Sequence, residues 1–151
     1  MQLWQAFKLL HVLAVITAVG ANLTYQFWYS RAGREPARLV WVIESVRRLD
    51  RRVANPAYVV AALAGVGLVL TDSQFSFTQP WIALAIVIYL AIAAMGMIVY
   101  APAMRRQLEL ARTAPESAEY AAAASRSRLL GRVATGLVLV IVILMVVQPT
   151  F

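Results

Sequence analysis

Four long apolar stretches dominate this sequence of 151 residues. They cover residues 3–29, 56–70, 80–104 and 129–147 approximately, and a helix needs about 20 mostly apolar residues to cross a bilayer. Hydrophobic residues make up 62% of the chain, against roughly 45–50% in soluble domains. The sequence therefore predicts an all-α, polytopic membrane protein with four transmembrane helices in a bundle, forming a single domain over residues 1–151.

The segment between the first two stretches predicts an amphipathic cytoplasmic helix over residues 37–54. Its apolar residues recur at helical spacing and share one face, whereas its arginines lie mostly on the other. The apolar face consists of Leu39, Val42, Ile43, Val46, Leu49 and Val53. Such a helix suits the membrane surface or the mouth of a bundle. Pro56 is expected to open the second transmembrane helix, because the first helical position needs no N–H donor.

Helical extensions are predicted between the third and fourth stretches. The third helix is expected to continue past Met104 as far as Arg112. Thr113 and Glu116 match a capping box, so a further helix is expected to begin there and to lead into the fourth span.

The net charge of +7 is concentrated in two connections. Residues 31–52 carry seven arginines and residues 105–132 carry six, whereas residues 71–80 carry only Asp72. Short loops rich in Lys and Arg stay in the cytoplasm. We therefore expect loops 30–55 and 105–132 to be cytoplasmic and both termini to lie outside. The arginines flank apolar helices, which indicates anionic lipid headgroups as partners and not nucleic acid.

Polar residues of the first stretch fall on one helical stripe. His11, Asn22 and Tyr25 follow steps of three and four, so they face the same way. Imidazole and amide groups are poorly accommodated in lipid, and the stripe is expected to face other helices or an internal cavity. His11, Asn22 and Tyr25 could line one cofactor-binding cavity with His11 on a haem iron, or the three side chains could simply join helices.

The sequence lacks the residues that several kinds of chemistry require. The chain has no cysteine and one histidine, which excludes disulfides, iron–sulfur clusters and a closed zinc site. All seven acidic residues lie in the predicted connections, which disfavours proton-coupled transport. Haem iron on His11 is the one metal site left open.

Small residues indicate close helix contacts in two stretches. Ala57, Ala61 and Gly65 recur every four residues in the second stretch, and Ala93 and Gly96 lie on one stripe of the third. Small side chains let helix backbones approach closely in membranes. We expect these five residues to lie at helix contacts.

Short motifs along almost the whole chain resemble a family of predicted bacterial four-helix integral membrane proteins. They are residues 8–13 (KLLHVL), 54–56 (ANP), 79–82 (QPWI), 100–102 (YAP) with 105–108 (RRQL), and 145–149 (MVVQP). Residues 3–11 and the Pro80-Trp81 pair are distantly similar to HemJ-type protoporphyrinogen oxidases. In that group a first-span histidine matches His11, but Ala85 stands where a lysine is expected. The resemblance implies a bacterial inner-membrane location.

The sequence favours a noncatalytic inner-membrane protein without a cofactor, an accessory or structural subunit of a larger complex. Its partner would be another membrane protein or a second copy of this chain. The alternative is a membrane protein that binds haem b or a porphyrin through His11. A small channel or carrier has less support.

Overall fold

The computed structural model describes residues 2–32 and 35–149, and within these residues every regular element is helical. In chain order they are α1 (Leu3–Arg31), α2 (Pro36–Leu49), a first π-turn (Asp50–Ala54), α3 (Asn55–Thr71), α4 (Pro80–Met95), a second π-turn (Gly96–Tyr100), α5 (Ala101–Thr113) and α6 (Ala118–Val147).

Four continuous helices are long and apolar enough to cross a membrane. They are Leu3–Arg31, Pro36–Thr71, Pro80–Thr113 and Ala118–Val147. The all-α fold with four candidate transmembrane helices is thus confirmed. The extension of the third helix beyond Met104 is also confirmed, because α5 ends at Thr113.

Both π-turns immediately precede an X-Pro pair. The N–H of Asn55 donates to the carbonyl of Asp50, five residues back, and the N–H of Ala101 donates in the same way to Gly96. Pro56 and Pro102 follow. A proline inside a helix removes one hydrogen bond and its ring clashes with the carbonyl four residues earlier. The wider π-turn accommodates each proline, so the helix continues from α2 into α3. α3 thus begins at Asn55 with Pro56 in its first turn, close to the predicted start, but it continues the helix of α2 and has no free N-terminus there.

The first π-turn also changes which residues of the amphipathic segment are buried. Leu39, Val42, Ile43 and Val46 are buried as predicted. Val53 is 38% exposed, because the wider turn shifts the helical register before residue 53 is reached. The predicted apolar face therefore ends where the π-turn begins.

The last helix begins later than predicted. Ser117 is the N-cap of α6, and its Oγ accepts a hydrogen bond from the N–H of Tyr120 at 3.0 Å. Thr113 instead closes α5 and donates its hydroxyl to the carbonyl of Glu109. The predicted capping box at Thr113 and Glu116 was wrong because Ser117 is the residue that meets the free N–H groups of the helix.

The helices pack in two pairs. α1 lies along α3, α4 lies along α6, and α1 also contacts α6. We call the end that contains α2, α5 and the last turn of α1 the arginine-rich end. Its apolar core includes Tyr25, Ile43, Met104 and Leu108. A smaller apolar cluster at the opposite end consists of Trp81, Ile82, Ala85 and Leu144.

An ion pair supports the packing at the arginine-rich end. Arg112 of α5 donates to Glu44 of α2. A second pair joins Arg106 of α5 to Glu119 of α6 at 3.5 Å. Both pairs are largely exposed, so each adds little stability, but together they connect three helices around the same core.

Candidate functional site

The polar stripe of α1 faces α3. Ala14 and Ala18 are buried on this side of α1, and their small side chains let the two backbones approach closely. His11, Asn22 and Tyr25 each find a partner on the helix formed by α3 and the first π-turn. We call this line of contacts the α1–α3 seam.

His11 binds the backbone of α3. Its Nδ1 lies 2.7 Å from the carbonyl oxygen of Ala61. A carbonyl oxygen only accepts hydrogen bonds, so Nδ1 donates its proton to this bond, and in the neutral imidazole the lone pair is then on Nε2. The ring lies over Gly65, where an added Cβ would come within 3.1 Å of His11 Cε1 and Nδ1. The glycine thus leaves the space that the imidazole occupies.

Asn22 makes the next contact along the seam. Its Nδ2 donates to the hydroxyl oxygen of Tyr58 at 2.6 Å and to the carbonyl of Ala18 at 3.2 Å. Tyr89 of α4 donates its hydroxyl to the carbonyl of Tyr58 at 3.2 Å. Tyr58 therefore connects α1 with α4, although the backbones of α3 and α4 do not approach each other directly.

Tyr25 and Asp50 end the seam at the arginine-rich end. Tyr25 is buried, and its hydroxyl donates to Asp50 Oδ1 at 3.3 Å. Asn55 Nδ2 donates to Asp50 Oδ2, also at 3.3 Å. Asp50 precedes the apolar stretch of its helix, and burial raises the pKa of its carboxyl group, while the hydrogen bonds from Tyr25 and Asn55 lower it.

The three stripe residues do not converge on one point. His11, Asn22 and Tyr25 meet Ala61, Tyr58 and Asp50 respectively, at successive levels of the seam. The structure thus arranges them as three separate helix-to-helix contacts. The larger of two surface cavities, at the arginine-rich end, is lined by none of the three.

Residues predicted at helix contacts differ in their surroundings. Ala61 is buried and Gly65 lies under the His11 ring. Ala57 and Ala93 are half-buried. Gly96 lies in the second π-turn, and a Cβ built there meets no atom within 4 Å. The tightest contact was not expected from the sequence: a Cβ at Gly67 would come within 2.5 Å of the Phe7 ring.

Sequence reasoning missed the polar residues that α3 and the first π-turn contribute. Asp50 had been assigned to a connection, yet it opens a π-turn inside a continuous helix. The Asn55-Pro56 pair did not indicate this, because proline is far more common at the first helical position than inside a helix. Tyr58 gave no signal either, because tyrosines are common at membrane interfaces. Tyr89 lies on the same stripe of the third stretch as Ala93 and Gly96, which was expected at a helix contact, but its partner Tyr58 was not predicted.

The described residues contain no group of three or more His, Cys, Asp or Glu side chains that could hold a metal ion. Ala85 is only 2% exposed and packs with Trp81 and Leu144. Ala85, where the resemblance to the HemJ-type group implies a lysine, is thus part of an apolar contact between α4 and α6.

Four apolar helices, two of them joined by the α1–α3 seam, define an integral membrane protein of the α-helical class. A family model described as "Predicted integral membrane protein (DUF2269)" matches residues 5–149, so the chain belongs to this family. The search of curated proteins and the search of solved structures gave no match, and the resemblance to the HemJ-type group is therefore not shown.

Proposed function

We propose that this protein is a noncatalytic integral protein of the bacterial inner membrane and an accessory or structural subunit of a larger membrane complex. The observation that supports this is the engagement of the α1 stripe: His11 donates to the Ala61 carbonyl and Asn22 to Tyr58. Such interhelical hydrogen bonds contribute about 0.6 kcal/mol each on average. These hydrogen bonds hold the helices together through the same polar groups that intramembrane chemistry would require.

The partner in this proposal is another membrane protein or a second copy of this chain. Leu63, Ile98 and Val146 lie on three different helices and are 67%, 72% and 77% exposed. A photo-cross-linking residue at each position tests the proposal in intact membranes. We expect one recurrent protein to be labelled from one position and not from the other two.

Two results would contradict the accessory-subunit proposal. One is a particle with the mass of a single chain after gentle detergent extraction. The other is equal labelling of many proteins from all three positions, which indicates random collisions in the bilayer.

The proposed orientation places loops 30–55 and 105–132 in the cytoplasm and both termini outside. α2 and α5 lie together at the arginine-rich end, and basic loops are retained on the cytoplasmic side. Anionic headgroups of the inner leaflet would then surround the arginines.

Haem b is a second candidate, and a specific feature of His11 favours it. Axial histidines usually donate their other ring N–H to a carbonyl or carboxylate, which fixes the tautomer. The bond from Nδ1 to the Ala61 carbonyl is of this kind, and Nε2 is then the nitrogen that would bind the iron. His11 would supply one axial ligand to the iron, and the haem would supply reversible one-electron chemistry.

Absorbance of the purified protein tests the haem candidate. After reconstitution with hemin, a Soret band that His11→Ala removes and Asn22→Val retains would support it. No Soret band in the wild-type protein, or a band that is unchanged in His11→Ala, would reject it.

A further inference from the structure

A cavity of about 390 Å³ opens at the arginine-rich end, away from the α1–α3 seam. Its walls include Tyr29 of α1, Gln107 of α5, and Tyr120 and Ser127 of α6. Sites for small ligands usually occupy about 300–1,000 Å³, so this cavity is large enough for a small polar molecule or a headgroup.

Two buried polar atoms of this cavity have no partner among residues 2–32 and 35–149. Gln107 is 3% exposed and Ser127 is 5% exposed. Neither Gln107 Oε1 nor Ser127 Oγ makes a hydrogen bond to these residues. Buried polar atoms in native proteins almost always have partners. A group from outside these residues, an ordered water or a ligand, would satisfy this pair.

The residues of the cavity define the chemistry of that group. Gln107 Oε1 only accepts hydrogen bonds, so the ligand must bring a donor. Arg128 also lines the cavity, is exposed, and takes part in none of the ion pairs found in the described part of the chain. Guanidinium groups match phosphate oxygens in geometry and charge. The ligand thus combines an anionic phosphate with a hydrogen-bond donor.

The position of Arg128 relates the cavity to the lipid surface. Residue 128 directly precedes the apolar stretch 129–147 of α6. Basic pockets between transmembrane helices, at the ends of their apolar stretches, bind phospholipid headgroups.

We propose that this cavity binds a phosphate group that carries a hydrogen-bond donor, as in the headgroup of phosphatidylglycerol. The phosphate lies against Arg128, and the two headgroup hydroxyls donate, one to Gln107 Oε1 and the other to Ser127 Oγ. Free glycerol 3-phosphate has the same chemistry. This site is independent of the accessory-subunit proposal, and it is more specific than general attraction of headgroups to arginine-rich loops.

Binding to the full-length, delipidated protein in detergent tests the proposal. The probes are dihexanoyl phosphatidylglycerol, glycerol 3-phosphate, and dihexanoyl phosphatidylcholine, whose headgroup has a phosphate but no donor. We expect phosphatidylglycerol to bind about tenfold more tightly than phosphatidylcholine, the size of one charge-assisted or buried hydrogen bond. Equal binding of the two lipids would overturn the proposal. Binding of glycerol 3-phosphate as tight as that of phosphatidylglycerol would assign the site to a soluble ligand, and weaker binding would assign it to the lipid.

Variants locate the binding to this cavity. Gln107→Leu should remove the preference for phosphatidylglycerol over phosphatidylcholine. Arg128→Gln should weaken the binding of both lipids about tenfold. Arg126 lines a different cavity of about 220 Å³, so Arg126→Gln is the charge-matched control and should bind normally. An equal loss in Arg126→Gln and Arg128→Gln would overturn the proposal, because it would indicate nonspecific attraction.

A thermal measurement separates binding from folding. Without lipid, Gln107→Leu should melt at or above the wild-type temperature, because it removes an unpaired buried acceptor. Phosphatidylglycerol should then raise the melting temperature of the wild type more than that of Gln107→Leu. Equal increases would overturn the role of Gln107.

Discussion

At the residue scale, the α1–α3 seam depends on side chains that must be small as much as on side chains that must be polar. His11 reaches the Ala61 carbonyl because Gly65 leaves room for its ring. The sequence could predict that His11, Asn22 and Tyr25 share a stripe, since helical periodicity fixes this. It could not predict which backbone carbonyl or hydroxyl each side chain contacts, because that depends on the position of α1 along the axis of α3.

We predict that Gly65→Leu destabilises the protein. The new side chain displaces the His11 ring and breaks its bond to Ala61, and overpacking costs about 1–3 kcal/mol. Gly20 is exposed and a Cβ there meets nothing within 4 Å, so Gly20→Leu is the matched control. The melting temperature in detergent should fall for Gly65→Leu only. Equal values for the two variants would contradict the seam contact.

Asp50 gives a prediction about pH. Its pKa is raised by burial in the folded protein, so folding favours the protonated form. This contribution to stability is present below the ordinary pKa of 3.8 and is lost as the pH rises through the folded pKa. Asp50→Asn should therefore melt above the wild type near neutral pH, and the difference should shrink as the pH falls to about 4. A constant difference across this range would show that the carboxylate charge is not responsible.

At the element scale, α2 is an amphipathic helix that continues into a transmembrane helix, and the question is what its apolar face packs against. The pattern identified Leu39, Val42, Ile43 and Val46 as a buried face, and the structure confirms it. It left open whether that face meets lipid or protein. The partner is the core that includes Met104 and Leu108 of α5, a contact far apart in sequence that periodicity does not reveal.

We predict that Ile43→Ala strongly destabilises the arginine-rich end. Ile43 is fully buried, whereas Trp41 on the same helix is 59% exposed. Truncation of a buried isoleucine costs about 2–5 kcal/mol. Ile43→Ala should become sensitive to limited proteolysis within α2 and α5, while Trp41→Ala should resist like the wild type. Resistance of both variants would place the α2 face against lipid and not against α5.

At the scale of the whole molecule, the sequence predicted the number of helices and the charge asymmetry, because both follow from composition along the chain. It did not predict the pairing of α1 with α3 and of α4 with α6, which depends on side-chain shape at contacts such as Phe7 against Gly67. Nor did it predict the cavity at Gln107 and Ser127, which lie on different helices.

The orientation proposal gives a whole-molecule prediction. A periplasm-active reporter should be active when fused after Phe151, and a cytoplasm-active reporter should be active when inserted within residues 114–117, the connection between α5 and α6. The reason is the retention of arginine-rich loops in the cytoplasm. The reverse pattern of reporter activity would refute the orientation.

The pairing of α1 with α3 has a consequence for the order in which the chain is made. Both helices leave the ribosome before α4 and α6 are synthesised, and the imidazole and amide of the seam already have their partners within this first half. A nascent hairpin of residues 3–71 can therefore enter the bilayer with these polar groups satisfied. The hydroxyl of Tyr89 then reaches the Tyr58 carbonyl only when the second half arrives, so this bond is among the links made after the first hairpin has formed.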